Sequence, residues 1–544
     1  MSSTSPSTRL NINTATSGFY SGFNKTVAIG SKLVIGALVI WAAIFPSQAS
    51  EVLNSMMNAM LSNFGVWYLY VMAFYAVVCV ALASTPSIGS IVLGVSGEKP
   101  EFSRFSWYAM MFGAGIGIGM LTFATAEPVN HFITNPDTLL GNVESGSAEN
   151  LPHALKWTIL HWGMSAWGCY ALGALALAYS SFNRGLPLTI RSALVPLFGR
   201  RLEGGLGHVV DITAIIATLV GIAVTIGFGV SQFVAGVYEV SGADWLVDSE
   251  GLATTSAKIA ALVIIIFAST LSAISGVGKG IKWLSNLNLT LSLVLLAFYV
   301  LFGPTALAVE SFFAAMQEYL FNLPILATTY WGASDEVQGA ALYRWQSDWT
   351  LFTFAWWIGF APFVALFVAR ISRGRSIREF VFGTMMVPPM MCCIWITLAG
   401  TAAIDLELNG GAAGSIINTG SESQLFATLK LMVSESVSTV IIAVVIVPLL
   451  LTFLVTSADS AVLVINTISS AGSSDQKGVV HIVIWGAILG LIIAILLLAG
   501  GMGAIRAALL IGALPFSLIL ALSGVSLIIA LIRDVRSSKM DKDG

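Results

Sequence analysis

Six aromatic residues stand where their ring faces could do chemistry. Trp162, Trp167 and Tyr170 share one long apolar run, and Trp356, Trp357 and Phe360 share another. On an ideal helix the first three fall at about 0°, 140° and 80° of rotation, which is one broad face. Trp162, Trp356 and Trp357 lie well inside their runs, away from the ends where membrane tryptophans usually gather. Electron-rich rings around a small space hold a cation that cannot donate hydrogen bonds, such as a trimethylammonium or dimethylsulfonium group. Each ring contributes roughly 0.5–2 kcal/mol, most when the site is dry. No Asp or Glu stands among these rings in the chain, which suits a permanently charged head group. The alternative use of the rings is packing.

A second set could bind a small cation through oxygen. The run LLTFLVTSADSAV places Thr456 and Ser457 side by side within apolar surroundings. With backbone carbonyls from a glycine-rich run at 113–119, they could complete a cage for Na+. The competing use is hydroxyls bonded back to the preceding turn. Asp459 reads as a gate or cap residue near the end of that run. Histidines at 131, 153, 161, 208 and 481 are scattered along the chain, so no His–carboxylate set for an enzyme is apparent. No cysteine spacing suggests zinc, and Cys79, Cys169, Cys392 and Cys393 read as small hydrophobes. A net charge of -3 gives no polybasic signal for nucleic acid. No cofactor is expected beyond a coupling ion.

These residues need elements that hold bare backbone inside a membrane. The run MMFGAGIGIGMLTFATAEP has glycine at 113, 115, 117 and 119. Each costs about 1 kcal/mol against alanine in a helix interior. A period of two does not suit a helix-packing stripe, so the spacing predicts a broken helix. Gly113, Ala114, Gly115 and Gly117 are then candidates to line the solute site with exposed carbonyls and amides. The run LFTFAWWIGFAPFVALFVAR contains Gly359 and Pro362, which predict a second break.

Composition supplies the setting. Of 544 residues 56% are apolar and only 10% are charged, whereas a soluble domain carries about 25% charged residues. Apolar runs recur at 26–45, 65–84, 107–126, 153–180, 209–237, 256–276, 284–303, 349–370, 380–400, 436–462, 480–500 and 503–532. Each is long enough to cross about 30 Å of hydrocarbon. The reading is therefore an all-α polytopic membrane protein of twelve spans. Placing both termini inside puts 20 of the 25 Lys and Arg on the inner side, as the positive-inside rule asks. The breaks fall in spans three and eight, five apart, the signature of inverted repeats around a midplane site. The chain divides into an N-terminal tail (1–25), two peripheral spans (26–105), a first repeat (106–303), an outer loop (304–348), a second repeat (349–532) and a short C-terminal tail (533–544). Within the loop, SFFAAMQEYLFNL has the spacing of an amphipathic helix at the outer interface. The basic segment ARISRGRSIREF at 369–380 reads as a topological anchor against anionic lipid.

Four motifs in order, GAGIGIG followed by AEP, HWGMSAWGCY, FAWWIGFAPFVALFVARISRGRSIREF and VTSADSA, resemble the betaine/carnitine/choline transporter family. The resemblance covers roughly residues 20–535. It implies two peripheral helices plus two inverted five-helix repeats, a homotrimer in the bacterial inner membrane with both termini cytoplasmic, and alternating access. It implies a substrate such as glycine betaine, choline, carnitine, ectoine or dimethylsulfoniopropionate, and membrane lipids as further partners of the protein. It assigns the cation box to Trp162, Trp167, Tyr170, Trp356 and Trp357, with Phe360 where the family often has Trp. It maps a Na+ site onto Thr456, Ser457 and Phe453, plus the backbone of Gly113, Ala114 and Ile116. Sodium-independent antiporters of the family carry an arginine in span five. Residues 209–237 contain no Lys or Arg, so the resemblance favours Na+ symport over antiport or proton coupling. The few basic residues after the last span imply no strong tail-based osmotic switch.

Overall fold

The structure is a computed structural model. It describes residues 10–543 apart from 96, 116, 276–281 and 474–477. Helices dominate, and the chain's β pairing among the described residues is limited to isolated bridges. Fourteen helices carry the argument: α1 Lys25–Ile44, α2 Pro46–Ser84, α3 Arg104–Gly115, α4 Ile118–Ile133, α5 Asn150–Trp162, α6 Met164–Ala178, α7 Gly205–Ser241, α8 Thr255–Ser275, α9 Lys282–Phe302, α10 Thr305–Leu326, α11 Phe352–Ile371, α12 Ile377–Leu408, α13 Val447–Ser469 and α14 Val479–Asp543. Among the described residues, nine helices are long and apolar enough to cross a membrane.

Local chemistry sets several boundaries. Asn24 caps α1 by accepting the Val27 N–H at 3.0 Å, and Ser376 caps α12 through the Glu379 N–H at 3.1 Å. Pro46 opens α2 at a position where no N–H is needed. The long α14 contains a kink at Gly500 and Gly501, the latter with φ 63°, a backbone state that glycine adopts without penalty. The kink separates the expected runs 480–500 and 503–532. Apolar side chains such as Leu33, Ile44, Val263, Phe267 and Leu301 face outward on α1, α8 and α9, as lipid contact allows.

The third span is interrupted where the glycines predict. Helix α3 ends at Gly115, α4 starts at Ile118, and Gly117 between them has φ -136° and ψ -126°.

The eighth span departs from expectation. No break occurs at Gly359 or Pro362, because α11 runs unbroken through both. Gly359 serves close packing instead. A Cβ built on Gly221 of α7 would lie 2.9 Å from the carbonyl carbon of Gly359. The irregular segment lies before α11, where residues 347–351 form a π-helical turn.

The fourth span is interrupted, which its sequence did not signal. Gly163 (φ -90°, ψ -144°) separates α5 from α6. The single-helix rotation angles for Trp162, Trp167 and Tyr170 therefore do not apply across it.

The basic segment at 369–380 is held by protein. Arg375 is buried, pairs with Glu379 at 2.8 Å and lies 4.1 Å over the Trp107 ring. Arg373 reaches Glu98 at 2.6 Å, and Arg104 reaches Glu379 at 2.8 Å. These bonds tie the loop before α12 to the entrance of α3.

Candidate functional site

The aromatic residues converge. Trp162 ends α5, Tyr170 lies on α6, and Trp356, Trp357 and Phe360 lie on α11. The Trp357 ring sits 5.7 Å from Trp162 and 4.8 Å from Tyr170, centroid to centroid. Trp356 is 6.2 Å from Trp162 in an edge-to-face arrangement. The interruption at Gly163 lets Trp162 and Tyr170 meet the same helix from separate segments. Trp162, Tyr170, Trp356, Trp357 and Phe360 all line one cavity of about 270 Å³, a size suited to a compact solute. Trp167 does not line it. Its ring backs Tyr170 at 5.5 Å and Trp357 at 5.8 Å.

Orientation of the rings is specified by neighbours. The Trp356 Nε1–H donates to Thr225 Oγ1 at 3.0 Å, and its ring stacks on Phe352. Gly119 of α4 approaches closely. A Cβ there would stand 2.8 Å from Trp162 Cη2 and 3.2 Å from Trp356 Cη2. At this position glycine gives the rings room against the backbone.

The candidate ion ligands gather at the interruption of the third span. Gly113, Gly117, Phe453, Thr456 and Ser457 line the same cavity. Ser457 Oγ lies 3.4 Å from where a Cβ on Gly117 would be. Thr456 Oγ1 donates back to its own helix, with Thr452 O at 2.9 Å and Phe453 O at 3.2 Å. It also accepts from Asn288 Nδ2 of α9 at 3.2 Å. Ala114 and Gly115 form the last turn of α3, and Ile116 lies outside the described residues. Asp459 is buried, accepting from Ser272 Oγ at 2.5 Å and Ser460 Oγ at 2.9 Å.

The cavity has a direction. From the rings it continues past Met110, Phe363, Phe367 and Ser460, toward the end of the molecule that carries Arg104 and the 369–380 loop. The opposite end is filled by rings. Phe123 lies 5.8 Å from Trp356, 5.1 Å from Phe228 and 6.4 Å from Trp349. Beyond this plug a second depression of about 380 Å³ is lined by Asn130, Thr134, Arg344, Asp348 and Trp349 among others.

Two expectations about charge are corrected here. The histidines are not all scattered, and a carboxylate does stand behind the rings. Glu127 of α4, fully buried, accepts the Trp162 Nε1–H at 2.8 Å. Its other oxygen meets His161 Nδ1 in a short contact and His131 Nε2 at 3.3 Å. His161 Nε2 is 2.9 Å from Thr350 Oγ1. Among the described residues this is the one His–carboxylate trio whose ligand atoms all lie within 4.8 Å of each other. Glu127 and His131 are four residues apart and so share a helix face. An acidic residue inside an apolar run was the available signal. The partnership with His161 crosses 34 residues and two helices, which no local pattern encodes.

Outside the spans, Asp137 gathers Lys156 Nζ at 2.8 Å and Trp157 Nε1 at 2.7 Å, with His153 at 3.4 Å. Burial raises its carboxyl, but the hydrogen bond from His153 and the charge of Lys156 outweigh it and hold the group below the usual carboxylate range.

Comparison with known proteins gives a consistent picture. The family profile for BCCT, betaine/carnitine/choline family transporter, matches residues 26–536. The glycine betaine transporter OpuD of Bacillus subtilis is 35% identical, over 94% of this chain and 95% of its own length. A glycine betaine/proline/choline transporter of Vibrio parahaemolyticus is 34% identical, over 95% of this chain and 91% of its own length. A probable glycine betaine transporter of Desulfitobacterium hafniense is 34% identical, over 94% and 98%.

Proposed function

The chain belongs to the betaine/carnitine/choline family of transporters, and is a secondary carrier of quaternary-ammonium-type osmolytes rather than an enzyme; from that premise we propose that it imports a small onium solute by Na+ symport. Glycine betaine is the leading substrate, with choline, carnitine and dimethylsulfoniopropionate in the same class. The onium head sits among Trp162, Tyr170, Trp356, Trp357 and Phe360, with Trp167 as the ring behind them. The observation that carries this reading is the meeting of these buried rings on one cavity with the interrupted third span.

Na+ binds next to the solute, between Thr456, Ser457 and Phe453 and the backbone of Gly113, Ala114 and Ile116. The approach of Ser457 to Gly117 supports that placement. Helix α7 contains no Lys or Arg, so no fixed cation replaces the ion. Alternating access moves the site between a path along α3 and α11 and the outer depression now closed off by Phe123. Nine long helices, the interrupted pairs α3–α4 and α5–α6, and the division of α14 at its glycines add to twelve crossings. We assign these to two peripheral spans and two inverted repeats, in a homotrimer of the bacterial inner membrane with both termini cytoplasmic.

Uptake of labelled glycine betaine into proteoliposomes, with an imposed inward Na+ gradient, tests the reading. Accumulation that disappears when Na+ is replaced by K+ supports symport. Exchange that needs internal solute and ignores Na+ supports antiport in its place. Failure of every onium compound to compete removes the cage assignment.

A further inference from the structure

We infer that Glu127 is a positioning residue and the counter-charge of the aromatic cage, acting on the onium through Trp162 and adding more to the binding of net-cationic solutes than to that of zwitterions. The inference rests on the cage reading above and deepens it.

The geometry supplies a charge with nowhere else to go. Trp162 Nε1 can only donate, and it donates to Glu127 Oε2 at 2.8 Å. Oε1 faces His161 Nδ1 and His131 Nε2. His161 Nε2 meets the Thr350 hydroxyl at 2.9 Å, which can donate to it. His131 Nδ1 makes no hydrogen bond of good geometry. A neutral imidazole at either position has one N–H to give, and each ring has a nitrogen facing Glu127 that can donate it there. With both imidazoles neutral, the negative charge of the trio rests on the carboxylate, directly behind a cage wall. All three side chains and Trp162 are buried, so water screens this charge little.

Two effects follow for a ligand on the other side of the indole. The hydrogen bond sets the plane of the Trp162 ring and feeds electron density toward the face that meets the cation. The carboxylate also attracts the ligand's positive charge over a few more ångströms. That second effect depends on net charge. In choline nothing opposes it. In a zwitterion such as glycine betaine, repulsion of the carboxylate end cancels part of it. Glu127 thereby tunes the choice between cationic and zwitterionic members of one solute class.

The test measures the affinities of choline and glycine betaine, by competition on the purified protein in detergent and by the KM and kcat of whichever is transported. Glu127→Gln keeps an oxygen for Trp162 and removes the charge. It should weaken choline by about fivefold or more and glycine betaine by about twofold or less, with kcat less affected. Glu127→Asp keeps the charge and loosens the contact. It should weaken both ligands while leaving their ratio within about twofold of wild type. Should Glu127→Gln not reach the membrane, His131→Arg reads the same ratio, since it adds a neutralising cation one turn away. Equal losses for both ligands in the charge-removing variant would make Glu127 a packing element only and overturn the inference. A wild-type protein that binds neither ligand would instead sink the cage reading.

Discussion

Gly221 of α7 and Gly359 of α11 face each other so closely that a Cβ on Gly221 would stand 2.9 Å from the Gly359 carbonyl carbon and 3.1 Å from the Phe360 nitrogen. Since Trp356, Trp357 and Phe360 flank this contact, it positions the cage helix. Gly221→Ala would push backbone against backbone, with no flexible side chain to yield. Overpacking of this kind costs about 1–3 kcal/mol. The purified variant should therefore unfold at a lower temperature and bind solute more weakly. Gly36→Ala on α1, away from the cavity, is the control, because a Cβ there meets nothing within 4 Å. Equal melting temperatures for wild type and Gly221→Ala would refute the packing argument.

Trp357 touches Trp162, Trp167 and Tyr170 at once, so it is the ring whose loss opens the cage most. Replacing it with Leu keeps apolar volume and removes the π face. One dry cation–π contact is worth about 1–2 kcal/mol, hence a KM for the onium solute raised by about tenfold or more. An unchanged KM would take Trp357 out of the binding site.

Thr456 and Ser457 should separate ion from solute. In Thr456→Ala with Ser457→Ala, half-maximal uptake should need about tenfold more Na+, while solute affinity at saturating Na+ changes much less. Thr456 also bonds back to Thr452 O, so the single Thr456→Ala variant reports on helix geometry as well. A double variant with an unaltered Na+ curve would place the coupling ion elsewhere.

Asp137 gives a pH signature remote from transport. Its folded carboxyl is held below the usual range, with burial opposing and His153 and Lys156 prevailing. A depressed carboxylate contributes stability above its unfolded value of about 4, and that contribution fades as pH falls through the lower folded value. Asp137→Asn should thus lower the melting temperature by about 2 °C or more near pH 7. Below about pH 4 the two curves should draw together. A constant gap down to pH 3 would argue against the ion pair as the cause.

Much of the molecule was legible before its structure. Runs of apolar residues specify crossings because a helix in lipid must satisfy its own backbone, and that requirement is local. The glycines at 113–119 marked the interruption between α3 and α4 for the same reason, since the cost of glycine is paid residue by residue. The ring residues were also visible as types at a depth where tryptophan is unusual.

Other features needed the folded chain. Gly359 and Pro362 have the composition of a break, yet α11 continues through both, with Gly359 used for contact with Gly221. Gly163 interrupts a span whose sequence reads as continuous. Glu127 looked like part of a short motif, and only the packing of α4 against α5 made it the partner of His161 and Trp162. Hydropathy and spacing report what each residue prefers alone. Which glycine bends and which one packs, and which carboxylate meets which ring, depend on neighbours brought together by the fold.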